Sequence, residues 1–393
     1  MTATMAPPES PATATATPLA AAKAAAAAAA TSTSTTAADT PSAAPPGAGH
    51  LHLSHAPRAH FSTQRAAYPL KLLTPNSLPS QPQNVRLAYS LAYGGGLVAG
   101  DLVQLDVKVD DGCGLVLLTQ GSTKVFKHRP GMRPKSHQIS RIVSAGDGPA
   151  PTTRQRLHIA LEPGAFLLLM PDSLSPFRAS SYAQAQRVTL PADGSASALV
   201  LDWVNSGRGA RAPAPMHSGP PGGVRDLQKK AAAAAANGAA AEGAEAPAGV
   251  PDDEVWAMAY YSSTNEIVVG DEVIARERMV LDNRAHDTGD VGSGLSPAAV
   301  RLAPYHVYAT VLLEGPHFAQ LRAHMDKVVD GTSQFQLPRP PGLLWSYSSL
   351  SDTGGIIRVA GLEVEDVRDW LRAALTAGGV NELVGQGLWP RCI

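Results

Sequence analysis

The sequence predicts a mainly β fold of many short strands, layered on one another, with two helices in the C-terminal part. Three observations carry that expectation. Val103, Leu105, Val107 and Val109 alternate with Gln104, Asp106 and Lys108, the period-two signature of a strand with one buried face. After the Asp110-Asp111-Gly112 turn, Leu115 to Leu118 is a continuous apolar run, expected of a strand covered on both faces. The plan recurs in Arg154 to Leu161, Gly164 and Phe166 to Met170, and again in Val188 to Leu190, Asp193-Gly194 and Ala198 to Val204. Hairpin-like units repeated in this way point to stacked strands wound into an extended β structure, not to separate βαβ units.

Composition bounds the foldable part. Residues 1–49 are almost wholly Ala, Thr, Pro and Ser, and residues 213–250 are Pro, Gly and Ala with few large side chains. Neither tract offers enough apolar surface to offset its ordering entropy, so the first reads as a disordered extension and the second as a low-complexity insertion. About 300 residues remain, enough for a single domain over 50–393. Across the 393 residues the formal net charge is −1 with no basic run, which argues against a nucleic-acid partner. Cys113 and Cys392 are the only cysteines, which excludes a disulfide framework and a cysteine-based zinc site and fits a reducing, cytoplasmic setting. No apolar stretch reaches the roughly 20 residues that span a bilayer, so no membrane partner is expected. Lys23 is the only basic residue before Arg58, unlike Arg-rich transit peptides; an unusual targeting signal is the alternative reading of this end.

In chain order, His50 to His55 is expected as the first strand, with Leu51 and Leu53 inward. His50, His52 and His60 invite a nickel reading, since imidazole is a good nickel ligand. With no carboxylate or cysteine nearby in sequence, a polar outer face is favoured. Pro69 to Leu72 and Val85 to Tyr93 continue the strands. Gly94, Gly95 and Gly96 permit positive φ or close backbone approach, and Gly100-Asp101 makes a second turn. Beyond the insertion, Trp256 to Tyr261, Asn265 to Val269 and Val273 to Leu281 are expected as strands, followed by a polar loop over Asn283 to Ala299. Tyr305 to Leu313, Leu344 to Ser348 and Ile356 to Val359 are further strands. Between them, Pro316 opens a helix whose stripe is Phe318, Leu321, Met325 and Val328, stopped by Gly331. Val364, Val367, Leu371 and Leu375 stripe a second helix, with Glu363, Glu365 and Asp366 at its positive end.

Catalytic motifs are missing from this sequence. Gly95 and Gly100 have phosphate-loop spacing, but Asp101-Leu102 stands where Lys-Ser/Thr would hold phosphate and magnesium. The dinucleotide fingerprint fails because a strand, not a helix, follows Gly100. Neither G-x-S-x-G nor H-E-x-x-H occurs, and His128, His158 and His306 fall on different strands. A generic β scaffold for sugars or other ligands would show clustered aromatics, whereas Trp203, Trp256, Trp345, Trp370 and Trp389 are dispersed.

GGGLVAGD (94–101), LLTQGSTKVF (117–126) and LDWVNSGR (201–208), in that order, together resemble the boxes of the urease accessory protein D (UreD) family. The IIRVAG ending strand and the WLR that follows are similar too, so the resemblance spans roughly 50–212 and 254–393. It implies a layered superhelical β fold and a non-catalytic role. UreD proteins bind the urease apoprotein and, with accessory protein F and the GTPase accessory protein G, deliver nickel through an internal water-filled channel; no nucleotide is bound by the UreD chain itself. On that view Asp101, Asp106 and Asp172 are candidate nickel-path carboxylates, weak oxygen ligands that suit a metal in transit. Gly95, Gly96, Gly100, Thr119, Gln120, Thr123, Lys124 and Arg208 are candidates for the channel opening or a partner surface. Asp101 also reads as a turn residue accepting backbone N–H bonds, Asp106 as an outer-face strand residue, and Arg208 as the partner of a carboxylate.

Overall fold

Alternating and wholly apolar strands end up in different sheets because only one of the two sheets is covered on both faces. The computed structural model describes residues 44–55, 57–129, 151–208, 254–284, 295–331 and 342–393. Of the extension expected over 1–49, residues 1–43 lie outside the described residues, as does the insertion at 213–250, while Ala48 and Gly49 belong to the first strand.

The chain begins with β1 (Ala48–His55), β2 (Ala59–Ala66), β3 (Leu70–Leu73), β4 (Val85–Ala92) and the short β5 (Gly96–Leu97). β6 (Leu102–Val109), β7 (Gly114–Leu118) and β8 (Thr123–Val125) follow. Next come β9 (Thr153–Leu161), β10 (Phe166–Leu169) and β11 (Leu174–Pro176). β12 (Ser181–Leu190), β13 (Ser197–Asn205), β14 (Tyr260–Val269) and β15 (Glu272–Asp282) continue the order. α1 (Pro297–Leu302), β16 (Val307–Glu314), α2 (Ala319–Asp330), β17 (Leu343–Ser349), β18 (Gly354–Gly361), α3 (Val364–Ala377) and α4 (Val380–Val384) complete it.

The first sheet has the order β15-β14-β12-β9-β6-β1-β2, and the second runs β17-β18-β16-β13-β10-β7-β4-β3 with β5, β8 and β11 beside it. β6, β9, β12 and β14 are mutually parallel in the first sheet, as are β4, β7, β10 and β13 in the second. The repeated units are therefore arches and not hairpins: β6, β9 and β12 lie in one sheet and β7, β10 and β13 in the other. Their turns stack. Gly112, at φ +62°, donates its N–H to the Pro163 carbonyl at 3.0 Å, and Gly164, at φ +68°, donates to Ser195 Oγ at 2.9 Å. Winding the chain in this way gives the layered superhelix, with the mainly β character expected.

Two apolar layers result. Val103, Leu105, Leu115, Leu117, Leu157 and Leu167 fill the space between the sheets. On the far side of the second sheet, Val116, Leu118 and Leu168 meet Phe318, Leu321 and Met325 of the α2 segment and Val367, Leu371 and Leu375 of α3. This is why β7 is buried at every position while β6 alternates.

The second half departs from expectation in places. Trp256 stands in a turn at φ +50°, and Tyr260–Val269 is one continuous strand, because its polar residues Ser262 to Asn265 pair on both sides instead of interrupting it. α1 falls in the stretch expected as a loop. It is signalled locally by Ser296, whose Oγ accepts the Ala299 N–H at 3.0 Å, and by Pro297 at the first turn. The five-residue α4 is also additional to the expected pair, α2 and α3.

Candidate functional site

An apolar strand that carries one carboxylate must find partners for it, because a lone charge between two sheets is costly to bury. Asp202 is in that position. It sits between Leu201 and Trp203 on β13, and the strand's alternation turns it towards the first sheet while its neighbours face the helices. Gln184 of β12 donates to its Oδ1 at 3.0 Å, and Ser263 and Asn265 of β14 donate to Oδ2 at 2.5 and 2.7 Å. The Tyr182 hydroxyl lies 2.8 Å from Gln184 Oε1 and 3.1 Å from Gln155 Oε1, able to donate to either, and extends a polar layer through the intersheet core. Burial raises the Asp202 pKa against the pull of those three donors. Glu277, opposite Asn265 on β15, is raised by burial and by the Asp202 charge, with Arg358 opposing.

A cavity of about 50 Å³ lies over this layer, lined by Gln155, Gln184, Gln186 and Asp202 within and by Thr119, Thr123, Asp172 and Trp203 towards one end. That is room for more than one water. The lining carries no Cys or His. At the outer end Asp172 accepts the Ser173 N–H and an Arg368 Nη2–H, both at 2.8 Å, and donates its own N–H to Thr119 Oγ1 at 2.8 Å. Arg368, reaching from α3, also binds Glu365 at 2.6 Å and stands 5.6 Å over the Trp203 ring. An ion pair and an indole thus frame the opening.

Of the sequence candidates, Asp172, Thr119 and Thr123 come together at this cavity. The others do not line it. Asp101 is buried in its turn, where Oδ2 accepts the Val98 N–H at 2.8 Å and the backbone carbonyl accepts from Arg154 N at 2.8 Å. Asp106 lies on the outer face of the first sheet, 3.3 Å from His158 Nδ1 and 3.9 Å from His50 Nδ1. The parallel pairing of β1 with β6 supplies the carboxylates that the local sequence near the histidines lacks, and His52 likewise meets Asp110 at 2.8 Å. Gly95 and Gly100 adopt φ +74° and +83°, while Gly96 pairs with Lys124 through β5 and β8. Gln120 is exposed in the turn before β8. Arg208 stacks 4.1 Å over Phe177 and pairs with no carboxylate among the described residues.

His158 faces outward, and His306 uses its backbone to join Ser206 and Gly361; no group of three or more His, Cys, Asp or Glu among the described residues forms a metal cluster. Burial pushes the thiol pKa of Cys113 to about 11 and of Cys392 to about 12, so neither offers a thiolate near neutrality. No helix among the described residues is long and apolar enough to cross a membrane. Asp202 is the residue that motif reading misses, although its signal is visible: one charge inside the run Leu199 to Val204.

The family model described as UreD urease accessory protein matches residues 46–217 and 232–391. A urease accessory protein 4 of Cryptococcus neoformans is 53% identical over 351 residues, 88% of this chain and 95% of that protein. Urease accessory protein D of Oryza sativa subsp. indica is 24% identical over 79% of this chain and 85% of its own length. Urease accessory protein UreD of Sorangium cellulosum is 28% identical over 84% of this chain and 79% of its own. With the family model covering most of the chain, the protein belongs to the UreD family of urease accessory proteins.

Proposed function

We propose that this chain is a non-catalytic, cytoplasmic scaffold of urease maturation that binds the urease apoprotein and, with accessory proteins F and G, passes nickel through the space between its two sheets. The observation that carries the reading is the polar layer around Asp202, which opens to the surface beside Asp172. Its donors are carboxylate, amide and hydroxyl oxygens. Nickel stands near the tight end of the affinity series, so a cage of thiolates or imidazoles would retain it, whereas such oxygens release it. A divalent cation also competes with protons, and burial, which raises the Asp202 pKa against its three hydrogen-bond donors, makes that competition stronger at this carboxylate than at an exposed one.

On this path Asp172 and Asp202 are the carboxylates in contact with the metal, and Thr119 and Thr123 border the entry. Gln120 and Lys124 adjoin the lining residues Thr119 and Thr123 in the chain, Gly96 pairs with Lys124, and with Gly95 and Gly100 they suit a partner surface. Asp101 and Asp106 fall outside it. GTP hydrolysis belongs to accessory protein G, in keeping with a glycine box that has Asp101 where a phosphate loop has lysine.

The test is nickel content per urease active site in cells carrying Asp202→Asn, with copurification of urease and both accessory proteins measured alongside. Normal complex formation with reduced nickel is expected. Full nickel loading with this variant would place the route elsewhere.

A further inference from the structure

The outer face of the first sheet carries a trough walled by arginines. Arg154 and Arg156 on β9 and Arg278 on β15 are exposed, and none of their side chains has an ion pair or hydrogen bond among the described residues. Between these strands, the two middle rows of β12 and β14 present small side chains to the same side, Ala183 and Ala185 beside Ser262 and Thr264. Arg156, Ala185, Thr264 and Arg278 stand in one register row, and Arg154, Ala183, Ser262 and Val280 in the next. Three strand spacings of about 4.8 Å separate the walls, giving a width of roughly 14 Å. One end is closed by Arg187 and Arg276, which grip Glu266 at 3.2 and 2.7 Å. α2 and α3 pack on the other sheet, away from this face.

We propose that this trough docks an acidic segment of a partner protein. Arginine forks match carboxylates bidentately, and small residues on the floor let a backbone approach the sheet. The width suits an α-helix of about 10–12 Å diameter or an extended chain. Polynucleotides fit less well. The aromatic ring on the outer side of the floor strands, Tyr260 of β14, is already covered by the Arg284 guanidinium at 4.1 Å, which leaves no open ring there for a base to stack on. Single surface charges contribute little, so it is the two facing walls that confer affinity.

The probe is a fluorescently labelled oligoglutamate peptide, titrated against the full chain at low ionic strength. Arg156→Glu with Arg278→Glu is expected to weaken binding about tenfold or more. Ala185→Trp, which fills the floor without changing charge, should weaken it several-fold. Lys108→Glu changes charge on the same face outside the trough and should stay within about twofold of the parent. Arg156→Gln with Arg278→Gln replaces the reversal if that pair fails to fold, with loss in the same direction. Equal weakening by Lys108→Glu and the arginine pair would reduce the effect to net charge and overturn the proposal. Tighter binding of a uridine oligonucleotide than of the peptide would overturn it as well.

Discussion

Asn265 on the first sheet donates a 2.7 Å hydrogen bond to Asp202 on the second, while its own side-chain carbonyl oxygen is buried with no hydrogen-bond partner among the described residues. The two sheets are thus joined at a point where apolar packing gives way to a carboxylate and amides. A buried carbonyl left unsatisfied costs stability, and a layer of this kind suits a passing cation or water better than it suits permanent packing.

Because Asp202 and Glu277 both bind their protons more firmly in the folded chain, the folded state holds more protons than the unfolded one above the ordinary carboxylate range. Stability must then fall as pH rises from that range through the raised values. Asp202→Asn removes one contributor. Denaturant unfolding at about pH 5 and about pH 7.5 should show a shallower loss of stability in the variant, with the neutral-pH value at or above that of the parent. An unchanged slope would assign the pH dependence to other groups.

Asp172 and Arg368 tie the cavity rim to α3 through a 2.8 Å bond with both side chains largely covered. A double-mutant cycle with Asp172→Ala and Arg368→Ala should return a coupling on the order of 1 kcal/mol, modestly reduced by added salt. Zero coupling would mean that the pair is incidental to the opening.

Asp101→Ala should lower stability by about 1 kcal/mol, since the Val98 N–H loses its acceptor. Asp101→Asn keeps an acceptor oxygen and should recover most of that loss. Nickel per urease active site is expected to stay near normal in whatever protein remains folded, because Asp101 does not line the cavity; a selective nickel defect in the Asn variant would bring it onto the path.

Gly114 lies beneath the Phe166 ring, where an added Cβ would meet ring carbons at 2.2 to 2.9 Å. These residues are paired in adjacent coils, β7 and β10. Gly114→Ala should therefore destabilise the chain by about 2 kcal/mol, read from the thermal or denaturant midpoint. A neutral substitution would show that the coils part freely.

Much of this fold is legible because each arch repeats a local rule. Val103 to Val109 reads as a strand with one wet face, and Leu115 to Leu118 as one with none. What alternation cannot reveal is partnership. Nothing near His50 announces Asp106, which parallel pairing sets opposite it. Ser262 to Asn265 reads as a break in a strand, since its buried polar side chains make sense only when Asp202 arrives from 60-odd residues earlier in the chain to accept from them. Arg208 invites a carboxylate and finds Phe177, a choice set by tertiary neighbours alone.

The stacked turns at Gly112, Gly164 and Gly194 have a counterpart at the opposite margin. There the chain crosses back from the second sheet to the first, between β8 and β9 and between β13 and β14. Thr119, Asp172 and Trp203, which border the opening, follow or end β7, β10 and β13 on that same margin. The molecule has one side where turn geometry is fixed by register and another where strand ends carry side chains that take no part in the ladders. Substitution at Thr119 or Asp172 can reshape the edge of the cavity while every rung of both ladders keeps its partner. Divergence within such a fold can thus be concentrated at the doorway and spare the walls.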